Sequence, residues 1–321
     1  MYKQFFGLRA NPFNVNPDPR FLFLTQHARE ALACLSYGIQ TRKGFILLTG
    51  EVGTGKTTLL NKLLEWLRTQ RVSTAFVFNP RLNVTEFFDF VMGDFGIATE
   101  AGDKGRALMR LNYWLLDRYR SGETAALIID EAQNISSELL EEIRLLTNLE
   151  TSTEKLLQIV LAGQPELERK LREPELRQLR QRITLRCRTH PLTAEETGQY
   201  ITQRLRIAGS NGEPIFAPDA VEAIHRFSQG IPRVTNLLCE HTLINAFVDQ
   251  TRPVTAQMVE EVATEFELAE APPVEPIVPR NATGENVTML EAVRMFAARR
   301  NAMRQAAGSG SHDNEAGKKQ S

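Results

Sequence analysis

Up to about residue 190 the chain alternates short, continuously apolar runs with longer stretches of helical periodicity, a rhythm that argues for a parallel sheet flanked by helices. The runs predict strands at Phe45 to Thr49, Thr74 to Phe78, Ala125 to Ile129, Leu157 to Ala162 and Thr184 to Arg188. A helix is expected from Leu59 to Leu67, soon after the first strand. Residues 1–190 are therefore read as an α/β domain. Ligands of open α/β sheets sit beyond the carboxyl ends of the strands, so chemistry is to be sought there.

From Thr193 onward the pattern is helical only. Thr193-Ala194-Glu195-Glu196 has the spacing of a capping box and opens a helix to about Ile207, before the turn Gly209-Ser210-Asn211-Gly212. Further helices read from about Asp219 to Phe227, Pro232 to Val248 and Thr255 to Phe266, which makes residues 191–268 a small all-α domain. Prolines recur from Pro272 to Pro279, so residues 269–287 read as an extended linker. A second capping box, Thr288-Met289-Leu290-Glu291, starts a helix over 288–307 that combines Met289, Leu290, Val293, Phe296 and Met303 with Arg294, Arg299, Arg300 and Arg304. Such a basic amphipathic helix suits a partner protein, an acidic membrane surface or nucleic acid. A helix that docks on its own domain or frays in solvent fits the same pattern. Residues 308–321 are small and polar and read as a flexible, disordered tail.

Composition narrows the classes. With 321 residues, 42% hydrophobic and 24% charged, the chain can bury a core and belongs with soluble globular proteins. A net charge of -1 argues against a protein that grips nucleic acid over its whole surface, while leaving a local basic patch open. Cys34, Cys187 and Cys239 are far apart in sequence and form no C-x-x-C pair, so neither a disulfide framework nor a zinc site is suggested. The amino terminus lacks a basic stretch followed by a long apolar one, and no run approaches the ~18 apolar residues of a membrane span. The chain reads as cytoplasmic.

The segment after the first strand changes the picture most. Gly50-Glu51-Val52-Gly53-Thr54-Gly55-Lys56-Thr57-Thr58 satisfies G-x-x-x-x-G-K-[ST] between a strand and a helix. Its glycines let successive N–H groups curl around a β-phosphate, and the following helix offers unpaired amides and its positive dipole end. Lys56 should reach the β- and γ-phosphates as a point charge, and Thr57 should ligate Mg²⁺ through its hydroxyl. A glycine-rich turn with a chance Lys-Thr is the competing explanation, against which the flanking strand and helix speak. The expected ligand is a nucleoside triphosphate with Mg²⁺, and the lack of an Asn-Lys-x-Asp guanine signature favours ATP.

The third strand ends in Asp130-Glu131. Asp130 would hold Mg²⁺, through water, and Glu131 would polarise the attacking water as general base, the feature that separates an NTP hydrolase from many P-loop kinases. An ordinary strand end with surface acids is the plainer alternative. The fourth strand ends in Gly163-Gln164-Pro165, where Gln164 can hydrogen-bond the γ-phosphate or the water, or merely cap the helix opening at Pro165. Arginines then crowd the chain at Arg169, Arg172, Arg177, Arg180, Arg182, Arg186 and Arg188. A guanidinium brought from a neighbouring subunit can speed phosphoryl transfer by ~10³ or more, and Arg182 and Arg177 are the leading candidates for it. Most of the others belong on a solvated helix face. Later, Gly230-Ile231-Pro232-Arg233 opens a helix with Pro232 in its first turn. Arg233 can fold over the nucleotide to the γ-phosphate; a plain surface arginine there would oppose the helix dipole unless an anion compensated it.

In this order, with a helical lid carrying a second arginine, these elements resemble AAA+ ATPases. More narrowly, Phe5-Phe6-Gly7-Leu8, Asn11-Pro12-Phe13, Asn16-Pro17-Asp18-Pro19, Gly44-Phe45, the phosphate loop, Asp130-Glu131-Ala132-Gln133 and Leu161-Ala162-Gly163-Gln164-Pro165 resemble the ExeA-type ATPases of the general secretion pathway, from Met1 to about residue 268. The resemblance implies a P-loop NTPase fold, with Asn11, Pro12 and Phe13 near the adenine or the domain hinge, Gln164 as sensor 1 and Arg233 as sensor 2. It also implies ATP-dependent homo-oligomers with active sites shared between subunits. Related ATPases accompany pilus, exosortase and exopolysaccharide systems, and transposition, where they act on DNA. Secretion members carry a transmembrane helix and a periplasmic peptidoglycan-binding domain that this sequence lacks after residue 268, which favours a cytoplasmic regulatory or assembly role. The expected function is an Mg²⁺-dependent ATPase that drives or regulates assembly of a secretion, pilus or envelope polysaccharide system, engaging a protein partner through its tail or lid. An ATP-switched, DNA-binding adaptor is the alternative, and the tail helix offers a route to peripheral membrane contact.

Overall fold

Five strands, β1 (Phe45–Thr49), β2 (Val72–Val77), β3 (Thr124–Ile129), β4 (Leu157–Gly163) and β5 (Ile183–Arg188), pair in parallel in the order β2-β3-β4-β1-β5. They belong to a computed structural model that describes residues 2–14, 18–78, 80–98 and 103–268. The expected linker, basic helix and tail of residues 269–321 lie outside the described residues. Helices fill the intervals: α1 (Tyr2–Phe5), α2 (Gln26–Gln40), α3 (Lys56–Leu67), α4 (Val84–Asp94), α5 (Lys104–Arg120), α6 (Ser137–Leu146), α7 (Pro165–Lys170) and α8 (Arg177–Arg182). Then come α9 (Ala194–Ile207), α10 (Pro218–Ser228), α11 (Pro232–Val248) and α12 (Ala256–Glu265).

The central strands are unbroken apolar runs because both of their faces are buried. Phe45, Leu47, Leu127, Ile129, Ile159 and Leu161 point to the side covered by α4, α5 and α6, where Phe87, Leu111 and Leu139 meet them. Their neighbours Ile46, Leu48, Ile128 and Val160 point to the other side, onto Leu35 and Ile39 of α2 and Leu60 and Leu63 of α3. Several expected boundaries move, most at β2 and α3. β2 starts and stops earlier than predicted, because its pairing with β3 runs from Val72 opposite Thr124 to Val77 opposite Ile129. Phe78 falls beyond the sheet, where its exposed ring meets Phe90 edge-on. Helix α3 begins at Lys56 rather than Leu59, since Gly55, with φ at 93°, turns the loop straight into the helix.

A third core lies among α9 to α12, and the chain's first residues belong to it. Phe6, Leu8 and Phe13 are buried with Ile201, Phe216, Leu238 and Leu243. Phe13 packs edge-on to Phe216 at 6.0 Å, Arg252 lies 3.9 Å over the Phe5 ring, and Glu240 of α11 accepts from both Tyr2 and Asn11. The N-terminal segment, expected with the α/β domain, is thus a strap built into the helical part. The physical reason is that its aromatic rings find their apolar partners only there. The predicted capping box at Thr193 and Glu196 is present, with both of its hydrogen bonds formed.

Candidate nucleotide site

The phosphate loop joins β1 to α3 at the carboxyl edge of the sheet. Gly53 and Gly55 adopt left-handed φ values of 79° and 93°, a conformation glycine takes without steric cost. Packing adds a second demand that the motif does not announce. A Cβ on Gly50 would lie 1.9 Å from Thr189 Oγ1, and one on Gly53 would lie 2.8 Å from Arg233 Cβ and 2.9 Å from Ile231 Cγ2. The loop is therefore wedged between the end of β5 and the start of α11. Thr54 ties it further, donating to the Glu51 carbonyl at 2.7 Å and sharing a hydrogen bond with Thr189, also at 2.7 Å.

Lys56 is buried, its Nζ donating to the carbonyls of Gly50 at 2.8 Å and Glu51 at 3.0 Å. Burial pushes its pKa below the ordinary lysine value, against the pull of Glu131, Asp130 and Glu51. Thr57 donates to Asp130 Oδ2 at 2.7 Å, and the Glu131 N–H donates to Asp130 Oδ1 at 2.9 Å. Asp130 is only 3% exposed, and burial raises its pKa despite those two donors. A hydroxyl and a buried carboxylate side by side form an oxygen donor set that suits Mg²⁺, which takes one or two protein ligands and completes its shell with phosphate oxygens and water. Among the described residues no group of three or more His, Cys, Asp or Glu could hold a metal by itself.

Glu131 follows β3 in a left-handed conformation, φ 51° and ψ 36°, which is costly for a residue with a side chain and concentrates at functional sites. The 3-10 turn at Ala132–Asn134 then folds Gln133 back, so that its Nε2 donates to Glu131 Oε2 at 2.5 Å. Gln164 leaves its role as N-cap of α7 without a side-chain capping bond and donates from Nε2 to the same oxygen at 3.2 Å. Its own N–H donates to Gln133 Oε1 at 3.1 Å. Two amides thus converge on one carboxylate oxygen. Gln133 is the residue of this set to which sequence reasoning gave no role; its place two residues after Glu131 was the available signal.

The helical part closes the site. Pro232 occupies the first turn of α11, and the Arg233 N–H donates to the Gly53 carbonyl at 3.3 Å. A cavity of about 300 Å³ opens between loop and lid, lined by Val52, Gly53, Gly55, Lys56, Thr57, Thr58 and Glu131 on one side and by Tyr200, Arg204, Pro232, Arg233 and Asn236 on the other. Asn14 of the strap also lines it. Asn11 and Phe13 do not; they are engaged with Glu240 and Phe216, while Pro12 touches the site only through its carbonyl, which accepts from Arg204. Tyr200, Arg204 and Asn236 escaped sequence reasoning, since no motif marks polar residues on a lid helix.

The arginine-rich segment stands apart from this cavity. Arg182 donates to Thr147 and Asn148 at the end of α6, and Arg177 is exposed at the start of α8. Arg188 is paired with Glu168, whose Oε1 also accepts from Thr49 at 2.7 Å, just before the loop. Elsewhere, Cys34 and Cys187, distant in sequence, line one cavity of about 220 Å³ together with His27 and His190. All the described cysteines are free thiols. Among the described residues no helix is long and apolar enough to cross a membrane.

Comparison with known proteins agrees with this geometry. Residues 39–171 match the family described as AAA domain. General secretion pathway protein A of Aeromonas hydrophila is 45% identical over 249 residues, which make up 77% of this chain and 45% of that protein. The chain therefore spans less than half the length of that relative. Among solved structures, the ORC2 protein of Aeropyrum pernix in its ADPNP-ADP complexes superposes with a TM-score of 0.60 at 18% identity, over 82% of this chain and 72% of that one. Cdc6p of Pyrobaculum aerophilum gives 0.60 at 16%, over 77% and 70%, and Drosophila ORC bound to DNA gives 0.59 at 18%, over 76% and 61%. At those identities the likeness is one of fold. The identity to the Aeromonas protein is of another order, 45% over 77% of this chain, and with the AAA-domain match it shows an AAA+ P-loop chain similar to general secretion pathway protein A.

Proposed function

We propose that this chain binds ATP with Mg²⁺ and hydrolyses it, and that the cycle drives or regulates assembly of a secretion, pilus or envelope polysaccharide system at the cytoplasmic side. The observation that carries the reading is the convergence of Lys56, the Thr57–Asp130 pair, the amide-held Glu131 and Arg233 on one cavity. The loop amides and Lys56 bind the phosphates. Mg²⁺, held by Thr57 and Asp130, would neutralise charge between the β- and γ-phosphates. Glu131 takes the proton of the attacking water, while Gln164, in reach of Glu131, orients that water or a γ-phosphate oxygen. Arg233 joins lid position to the γ-phosphate. An arginine from a neighbouring copy, Arg182 or Arg177, completes the site in a homo-oligomer.

Lys56→Ala should abolish ATP binding, and Glu131→Gln should bind ATP yet lose turnover by about 10²-fold or more. Retained hydrolysis in Glu131→Gln overturns the assigned base. Specific activity that rises with protein concentration supports the shared site, and Arg182→Ala should remove that rise. A second reading, an ATP-switched DNA adaptor, draws on Arg172, Arg177, Arg180 and Arg186, all exposed. It requires ATP-dependent DNA binding that weakens steeply between ~50 and 200 mM salt.

A further inference from the structure

Arg204 in α9 is a buried cation that the phosphate chemistry leaves unused. It is 7% exposed. Its Nε donates to the Pro12 carbonyl at 2.5 Å and its Nη1 to the Tyr200 hydroxyl at 2.7 Å, while Nη2 faces the Asn14 carbonyl at 3.5 Å. The guanidinium lies 4.8 Å from the Phe21 ring and 5.2 Å from the Tyr200 ring. Tyr200 in turn donates to Asn236 Oδ1 of α11 at 2.8 Å. One side chain thus joins the N-terminal strap, the segment leading into α2 and two lid helices.

All of these pieces border the nucleotide cavity, and a smaller cavity of about 80 Å³ shares Phe21, Tyr200 and Arg204 with it. Phosphates held at Lys56 and Thr57 leave the sugar and base to this remaining lining. Each nitrogen of the Arg204 guanidinium donates to a protein atom of the strap or of Tyr200, so its main bearing on the nucleotide is through what it holds in place. A lysine cannot copy it, because a single ammonium supplies neither the planar fork nor the flat face that lies against Phe21.

We propose that Arg204 is the positioning residue for the nucleoside half of the ligand: it staples the strap to α9, so that Phe21, Tyr200 and the strap carbonyls form one wall for the base and travel with the lid. This rests on the ATP reading above. The test is calorimetric binding of ATP and of ADP, with steady-state ATPase kinetics, for the wild-type chain, Arg204→Lys, Tyr200→Phe and Arg233→Ala. Arg204→Lys should weaken ATP and ADP by the same factor, about tenfold for the loss of charge-assisted hydrogen bonds, and raise KM with kcat within about twofold. Tyr200→Phe, which keeps the ring, should show the same pattern at about two- to fivefold. Arg233→Ala should weaken ATP alone. A variant that melts earlier but binds both nucleotides like wild type, or one that loses ATP while keeping ADP, overturns the assignment. A wild-type chain that binds neither nucleotide overturns the ATP reading and this inference with it, whereas tight wild-type binding with unchanged Arg204→Lys and Tyr200→Phe overturns this inference alone.

Discussion

Replacing Gly53 and Gly55 by alanine, one at a time, separates two costs that the phosphate loop combines. Both residues have left-handed φ values, 79° and 93°, so each alanine pays ~1–2 kcal/mol for its backbone conformation. Only Gly53 is crowded: its new Cβ would stand 2.8 Å from Arg233 Cβ and 2.9 Å from Ile231 Cγ2, whereas nothing lies within 4 Å of a Cβ on Gly55. Forcing a methyl into packed side chains adds ~1–3 kcal/mol, because neither neighbouring carbon is the loose end of a chain. The expected losses are therefore about 1–2 kcal/mol for Gly55→Ala and about 2–5 kcal/mol for Gly53→Ala. For a unit of this size that is a fall in Tm of about 2–4 °C per kcal/mol. The assay is urea unfolding and thermal melting without nucleotide, so that phosphate binding cannot confuse the comparison. Adding Ile231→Ala to Gly53→Ala should recover part of the difference in a double-mutant cycle. Equal losses for the two glycines would refute the packing of the lid start onto the loop.

Two further changes test other parts of the frame. Phe13→Ala should cost about 3–5 kcal/mol in urea unfolding, since the ring is fully buried among the lid helices; a loss under 1 kcal/mol would free the strap from that core. Glu168→Gln should cost about 1 kcal/mol at neutral pH, or about 2–4 °C, with the share of exposed Arg188 trimmed by water. Burial alone would raise the Glu168 pKa, but Thr49 and Arg188 outweigh it and hold the group below the usual range. A carboxyl depressed in the folded state stabilises above its unfolded pKa and ceases to do so as pH falls through its folded one. The gap between wild type and Glu168→Gln should accordingly close on acidification, and a gap that widens would reverse the assignment.

Sequence reading found the sheet because its signal is local: Phe45 to Thr49 is apolar throughout, and Pro232 marks the start of α11. It placed β2 late because Val72 to Phe78 offers no clear end, and pairing with β3 decided the matter. The first residues were grouped with the α/β domain for a similar reason, while their rings pack among the lid helices. Phe6, Leu8 and Phe13 announce burial without saying against what, and their partners begin at Leu192. The site divides along the same line. Lys56, Thr57, Asp130 and Glu131 are legible since phosphate and metal chemistry fix their spacing, and Gln164 by its strand end. Arg204 has no such spacing, and in an amphipathic helix an arginine is first assigned to the solvent face. The loop glycines were half legible: the motif calls for Gly50 but is silent about Thr189, and it leaves position 53 open, where Arg233 and Ile231 from another element crowd Gly53.

The strap gives the chain a particular order of birth. The strap residues that complete the helical core leave the ribosome ahead of the sheet and must wait for about 180 further residues, roughly ten to forty seconds at ordinary rates of synthesis, before Leu192 and its followers emerge to cover them. During that interval the sheet can finish on its own while Phe6, Leu8 and Phe13 remain uncovered. The same circuit governs dissection: a piece cut at residue 190 would carry three greasy orphans, and a piece beginning at 191 would be a core with a hole. In this protein the sheet is, in effect, a long excursion made in the middle of building the lid.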